Sequence, residues 1–336
     1  MNSHRKKVLL LALGLDILLG DPPNYFHPVA WMGKLIAVGK EYLFLKRFRP
    51  KDHAFAELAF GAGIALGGSA LVAGIASLPG KILTKPGCTR YEKQLYGLVE
   101  AVLLKSTISL RGLNNAAKEV QESLENDDLP AARHSLSWHL VSRGTSTLDE
   151  RQISAAAIES VAENASDGIL APMFFYLLGG LPLALVYRFI NTADSMLGYH
   201  TPDLEWLGKA AACLDDLLNF LPARLTGISI LLSAPFVGGD ASHVWSVMWR
   251  DARKTQSPNA GYPMSAMAGA LNVELEKVGH YCLGIGGRKP GSADIQHSRC
   301  AMFLSILIAS IGFIIFPFWT YIHDPHLRSI HQGAKK

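Results

Sequence analysis

Charged side chains are scarce in this chain. They make up 18% of its 336 residues, against the roughly 25% a soluble domain uses to cover itself. Cysteine is scarce too: Cys88, Cys213, Cys282 and Cys300 show no paired spacing. That excludes a disulfide scaffold and argues against a zinc or iron–sulfur site. No long basic-aromatic run is present, and a net charge of +4 is too mild to imply a nucleic-acid partner. The surplus suits an anionic membrane face instead. No stretch shows the sustained alternation of a strand, and there is no internal repeat or low-complexity tail. What is abundant is apolar: 49% of residues, with a mean hydropathy of +0.19. That excludes disorder and points to a membrane protein.

A crossing helix needs about 20 mostly apolar residues. Ala54 to Leu78 and Ala301 to Ile322 qualify, the former with Gly61, Gly63, Gly67, Gly68 and Gly74 for close helix approach. Leu217 to Val237 qualifies with Pro222 and Pro235 inside it, and Leu95 to Leu110 is borderline, holding Glu100 and Lys105. Val8 to Gly20 would be about 20 Å as a helix, too short to cross unaided. Arg5, Lys6 and Lys7 before it imitate a signal peptide, but Asp16 and Asp21-Pro22-Pro23 spoil the pattern, so the segment is expected to be retained. The basic stretch Gly33 to His53 (Lys34, Lys40, Lys46, Arg47, Arg49, Lys51) asks for the cytoplasm. Arg5 to Lys7 ask for the same side, which holds if Val8 to Gly20 only dips into the membrane. The basic loop of Lys81, Lys85, Arg90 and Lys93 then falls outside, against that rule. Residues 111–168 form a cytoplasmic helical insertion, with helices over Arg111 to Asp127, Ala131 to Val141 and Leu148 to Ala165, the last capped by Thr145 or Thr147. Residues 239–299 read as a polar loop region. The expected fold is all-α: one polytopic membrane domain over 1–336, with about four to five membrane segments, one of them re-entrant, and helical cytoplasmic insertions.

Two acidic clusters carry the chemistry. Glu159, Glu163 and Asp167 are spaced i, i+4, i+8, one face of a helix. Two readings stand: a solvated acidic face, or carboxylates held together by a cation, for which magnesium is the natural candidate. The second cluster runs Asn191 to Tyr199, with Asp194, and continues through Asp215, Asp216 and Asn219. Ionisable groups entering a bilayer mark function by default; pairing of Asp215 with Arg224 is the structural alternative. Between the clusters lies the apolar segment Ile169 to Ile190, broken at Gly179-Gly180-Leu181-Pro182. Either it is a single kinked span, or it reverses there as a re-entrant hairpin, putting both clusters on one nucleotide. Arg111, Arg143, Arg253 and Lys254 suit phosphate or carboxylate groups. The glycine-rich 284–291 stretch lacks the Walker ending. His27 is a candidate base or ligand, or a turn histidine.

Six stretches resemble the CobD/CbiB cobalamin-biosynthesis family, the adenosylcobinamide-phosphate synthases: LLGDPPNYFHPVAWMGKLI, SLRGL, AAIESVAENASDGILAPMFF, YRFINTADSMLGY, LDDLLNFLPARLT and SPNAGYPMSAMAGAL, in family order. The resemblance implies a multi-pass inner-membrane ligase with a cytoplasmic site. It would join (R)-1-aminopropan-2-ol, or its O-phosphate, to the propionate of adenosylcobyric acid with Mg2+ and ATP. Partners implied are these substrates, membrane lipid and other enzymes of the pathway. The implied metal set is Glu159, Glu163, Asp167, Asp215 and Asp216. The catalytic set is Glu159, Glu163, Asp194 and His27, and Asp194 would also help hold Mg-ATP. The nucleotide set is Arg143, Asn164, Asn191, Arg224, Arg253, Lys254, Ser257 and Asn259. A magnesium-dependent prenyl- or phospho-lipid transferase explains the acidic pairs but not SPNAG or HPVAWMG. A non-enzymatic sensor or scaffold leaves the ionisable groups near lipid unexplained.

Overall fold

The computed structural model describes residues 3–45, 54–83, 89–198, 201 and 204–315. Lys46, Arg47, Arg49, Lys51, Lys85, Cys88, Tyr199 and residues 316–322 of the last expected span lie outside the described residues. The fold is all-α apart from one small hairpin. Its helices are α1 (Ser3–Leu19), α2 (Pro28–Leu45), α3 (Ala54–Leu83), α4 (Arg90–Lys105), α5 (Leu110–Glu125), α6 (Leu129–His139), α7 (Glu150–Ala165), α8 (Ala171–Gly179), α9 (Leu181–Leu197), α10 (Glu205–Ser233), α11 (Ala241–Asp251), α12 (Gly261–Leu271) and α13 (Ser292–Ile315). Among the described residues, three helices are long and apolar enough to cross a membrane: Ala54–Leu83, Glu205–Val237 and Ser292–Ile315. Helices α1 and α4, at 17 and 16 residues, fall short of that length.

The centre of the molecule is an unbroken helical rod from Glu150 to Gly179. Its first part is rich in alanine (Ala155–Ala157, Ala162, Ala165), and Ile153 to Ala162 are all buried. Small side chains let α5, α12 and α13 close around it. Asp149 caps α7, accepting from the Gln152 amide in a reciprocal capping box. Neither Thr145 nor Thr147 does so. Thr145 instead donates to the Arg133 carbonyl at 2.8 Å.

Ser166–Leu170 is a π-helical turn, and its cause and effect can be traced. Pro172 has no N–H for the Gly168 carbonyl four residues back, and the Ala171 N–H bonds to Ser166 rather than Asp167. Two carbonyls are thus released. Asp167 O accepts from the Tyr187 hydroxyl and Gly168 O from the Ser109 N–H, both at 3.1 Å.

The chain then reverses at Gly180, whose φ of +73° suits glycine. Helices α8 and α9 pack as a hairpin, with Phe175 stacked on Tyr187 at 5.0 Å. This is the reversal expected at Gly179-Gly180, not a kinked single span. At the closed end, Arg5 donates to the carbonyls of Leu177 and Leu178, and Lys6 to that of Ile314 at 2.6 Å. Arg5 thus caps the C-terminus of α8. Gly33 instead packs beside Met196, at the other end of α9. Of the second basic stretch, Lys34 and Lys40 lie among the described residues, on α2.

Of the α3 glycines, Gly61 abuts the Leu207 carbonyl and Gly68 the Phe189 ring. A Cβ at either would collide with them, whereas Gly63, Gly67 and Gly74 face open space. The region 239–299, read as a polar loop, holds α11, the wholly buried α12 and the start of α13. It also holds an antiparallel pair, β1 (Leu275–Lys277) with β2 (Tyr281–Leu283). Three-residue strands are too short to show an alternation, and α12 has no polar face to betray a period.

Candidate active site

A cavity of about 700 Å³ opens where α7, the π-turn, α9 and α10 meet the chain between α6 and α7. Glu163, Asn164 and Asp167 line it from the central rod, Asn191 and Asp194 from α9, and Asp215 and Asp216 from α10, with Ser257 at the edge. The hairpin brings both acidic clusters to one space. Asp215 is fixed by two amides: Asn191 donates to one oxygen at 3.2 Å and Asn219 to the other at 2.9 Å. Asn219 in turn accepts from the Tyr187 hydroxyl at 2.8 Å. The same hydroxyl reaches the Asp167 carbonyl, so one tyrosine ties the π-turn to α10. Asn164 is turned back onto its own helix, donating to the Ser160 carbonyl.

Glu159 shares the helix face but does not line the cavity. It is buried, 3.8 Å from Arg143, and its Oε1 has no hydrogen-bond partner. Burial pushes its carboxyl up to about 7, with Arg143 opposing and Glu163 adding to the rise. Burial also raises Glu163, with Lys277 opposing and Asp215 contributing. Asp167 is raised well above the usual carboxylate range by burial, then by Asp215 and Glu163. Glu159, at about 7, can exchange a proton near neutral pH. Among the described residues, no group of three or more His, Cys, Asp or Glu side chains is arranged to hold a metal ion. Of the five carboxylates expected to form a metal set, Glu163, Asp167, Asp215 and Asp216 line the cavity, and Glu159 faces Arg143 instead.

The cationic candidates are mostly engaged elsewhere. Arg224 stacks over Phe220 and Tyr262 and donates to Asn259 at 3.0 Å, rather than pairing with Asp215. Asn259 passes the link on, donating to the Asp216 carbonyl at 2.7 Å, so this pair braces α10. Lys254 binds Asp251 at 2.6 Å, and Arg253 is exposed. Neither lines the cavity.

His27 belongs to a separate cluster at the end of α1. Its Nε2 lies 3.5 Å from Asp21 and its Nδ1 accepts from the Val29 N–H. Lys105 stands 2.8 Å from Asp21 and 3.8 Å from the fully buried Asp16, and the Arg111 N–H donates to Asp16. Burial alone would raise Asp21, but hydrogen bonds from His27 and Lys105 hold it at about 2.

Sequence reasoning missed Tyr187, Lys277 and Tyr281. Tyr187 lies four residues before Asn191, a spacing that could have marked it. Lys277 and Tyr281 reach the acidic helix only through the β-hairpin, which leaves no local signal.

Residues 9–305 match the family described as CobD/Cbib protein. The chain belongs to that family. Among relatives, the cobalamin biosynthesis protein CobD of Dehalococcoides mccartyi is 44% identical over 277 residues, covering 82% of this chain and 86% of its own. The probable cobalamin biosynthesis protein CobD of Methanothermobacter thermautotrophicus is 40% identical, with the same coverage. The CobD of Klebsiella pneumoniae is 37% identical over 314 residues, 91% of this chain and 95% of its own. No solved structure matches. The family match spans both acidic clusters and the His27 cluster.

Proposed function

We propose that this CobD/Cbib-family chain acts in cobalamin biosynthesis as an ATP-dependent amide ligase. It would join (R)-1-aminopropan-2-ol, or its O-phosphate, to the propionate carboxylate of adenosylcobyric acid. The observation that carries this reading is the convergence of two distant acidic clusters on one polar cavity, in a chain whose curated relatives are named for cobalamin biosynthesis.

The chemistry sets the demands. A carboxylate is a poor electrophile, so the propionate oxygen attacks the γ-phosphorus and ADP leaves, giving an acyl phosphate. The amine nitrogen then attacks the acyl carbon, phosphate leaves, and the ammonium proton passes to a base. Positioning and charge neutralisation dominate the first step. Magnesium would supply charge neutralisation on the transferring phosphate. The donor set fits it, being hard carboxylate oxygens, and an ion arriving on phosphates needs only one or two of them. Asp167, Asp194 and Asp215 are the lining residues suited to hold it.

Glu163, raised by burial, is suited to take the ammonium proton. With His27 tied to Asp21 in another cluster, the base is drawn from the cavity carboxylates. Asn191 and Asn219 orient Asp215 through hydrogen bonds it would otherwise lack. In this reading the chain sits in the inner membrane with its cavity toward the cytoplasm, where ATP is available.

Incubation of detergent-solubilised protein with Mg-ATP, adenosylcobyric acid and aminopropanol phosphate, followed by corrinoid mass, tests the reading. The amide is expected, and only with ATP. No product with either form of the amine, from folded protein, would overturn it in favour of a scaffold. Turnover of prenyl diphosphates would favour a lipid transferase.

A further inference from the structure

One wall of the carboxylate cavity is aromatic. Trp138 lines it near the end of α6, among serines, asparagines and carboxylates, and remains 75% exposed. An indole left in water forfeits a large apolar burial, so its position calls for a reason.

The helix that carries it is firmly held. Asp128 caps α6, accepting from the Ala131 N–H at 2.9 Å. Arg133 donates to the Leu148 carbonyl at 2.9 Å, and Ser135 to the Glu119 carboxylate at 2.6 Å. The ring plane is set as well: His134, one turn earlier, stacks on the indole with centroids 6.0 Å apart and planes within 10°. His134 lines a second hollow of about 490 Å³, which shares Ser137 with the main cavity. The stacked pair therefore stands between two spaces, on a fixed helix, with the indole toward the acidic one. A flat, preoriented ring at the mouth of a polar cavity binds another flat ring through stacking, with little ordering cost on the protein side.

We propose that Trp138, backed by His134, is the stacking platform for the planar conjugated ring of a ligand whose polar end reaches the carboxylates. The inference rests on the ligation reading for its candidate rings, the nucleobase of ATP and the ring systems of adenosylcobyric acid.

The test is equilibrium dialysis of the full chain in detergent with Mg-ATP, with magnesium tripolyphosphate and with adenosylcobyric acid. Wild type, Trp138→Ala and Trp138→Phe are compared. Trp138→Ala weakens one ring-bearing ligand about tenfold, the loss expected when one stacking partner is removed. Trp138→Phe retains most of the affinity, and tripolyphosphate, which has no ring, binds all three proteins alike. The ligand that moves identifies the substrate whose ring is stacked. Equal affinity of wild type and Trp138→Ala for both ring-bearing ligands would overturn the platform alone, as would an equal loss for tripolyphosphate. A wild type that binds neither ring-bearing ligand would sink the ligation reading, and the platform with it.

Discussion

Asp16 and Asp21 stand around Lys105, and Glu163, Asp167 and Asp215 stand around a cavity; both are gatherings of carboxylates, yet their surroundings differ. At the α1 end the acids face donors: Lys105 stands near both, the Arg111 N–H donates to one oxygen of Asp16, and His27 lies beside Asp21, although the other oxygen of Asp16 has no hydrogen-bond partner. At the cavity, the direct hydrogen-bond partners of Asp215 are neutral amides, and neighbouring carboxylates raise one another. An acid with a cation beside it serves the fold, because removing that cation leaves a buried charge alone. The cavity cluster, offset only in part by Lys277 and Arg188, strains the fold and gains value when a cationic or protonated species joins it. Proximity of acids in sequence does not separate the two cases; what each carboxylate faces does.

That contrast can be broken by substitution. The largest effect belongs to Lys105→Met, which takes the cation from the fully buried Asp16. It should cost about 3–5 kcal/mol, read as a lower thermal midpoint in detergent. Unchanged stability would show that the pairing is incidental.

Asp167→Asn should do the reverse. Amide formation falls about a hundredfold or more, the range for loss of a positioned acid–base or ligand group, while the thermal midpoint holds or rises as like charges are relieved. A fall in both would place Asp167 with the structural acids.

Stability against pH should then show two opposite slopes. Asp21 has a depressed carboxyl, so its contribution is complete above its ordinary value of 3.8 and is lost as pH falls toward about 2. Glu159 is raised from 4.5 to about 7, so the folded protein holds an extra proton in that interval, and stability declines as pH rises through it. Asp21→Asn should make the acid limb shallower and leave the neutral limb, and Glu159→Gln the converse, in midpoints measured across pH. The smallest effect is expected from Asp149→Ala, which removes the α7 cap for about 1 kcal/mol and should leave both slopes as they are.

Much of the site is legible locally. Glu163 and Asp167 follow from a helical spacing that any four-residue repeat would reveal, and the reversal follows from Gly179-Gly180-Leu181-Pro182. Asp215 with Asn219 on one face is confirmed by their hydrogen bond. What was hidden depends on distant chain. Nothing near Glu159 says that Arg143 and the β-hairpin will close over it, and nothing near His27 says that Asp21 and Lys105 will claim it. Arg224 looks like a phosphate ligand until Phe220, Tyr262 and Asn259 are seen around it. The π-turn and α12 were hidden for another reason: one is a shift in hydrogen-bond partner that leaves composition unchanged, and the other is buried on every side and so has no polar face to mark it as a helix.

Lys6 reaches the carbonyl of Ile314 across 308 positions of sequence, which bears on the order in which the molecule is made. During synthesis α1 exists long before α13, and Arg5 can meet the end of α8 once the hairpin is complete. Lys6 must wait for the last described helix. Its ammonium keeps its water until then, so the final docking of α13 is the event that seals this end of the bundle. A ribosome halted before α13 would leave a nascent chain with the acidic hairpin in place and its opposite end open.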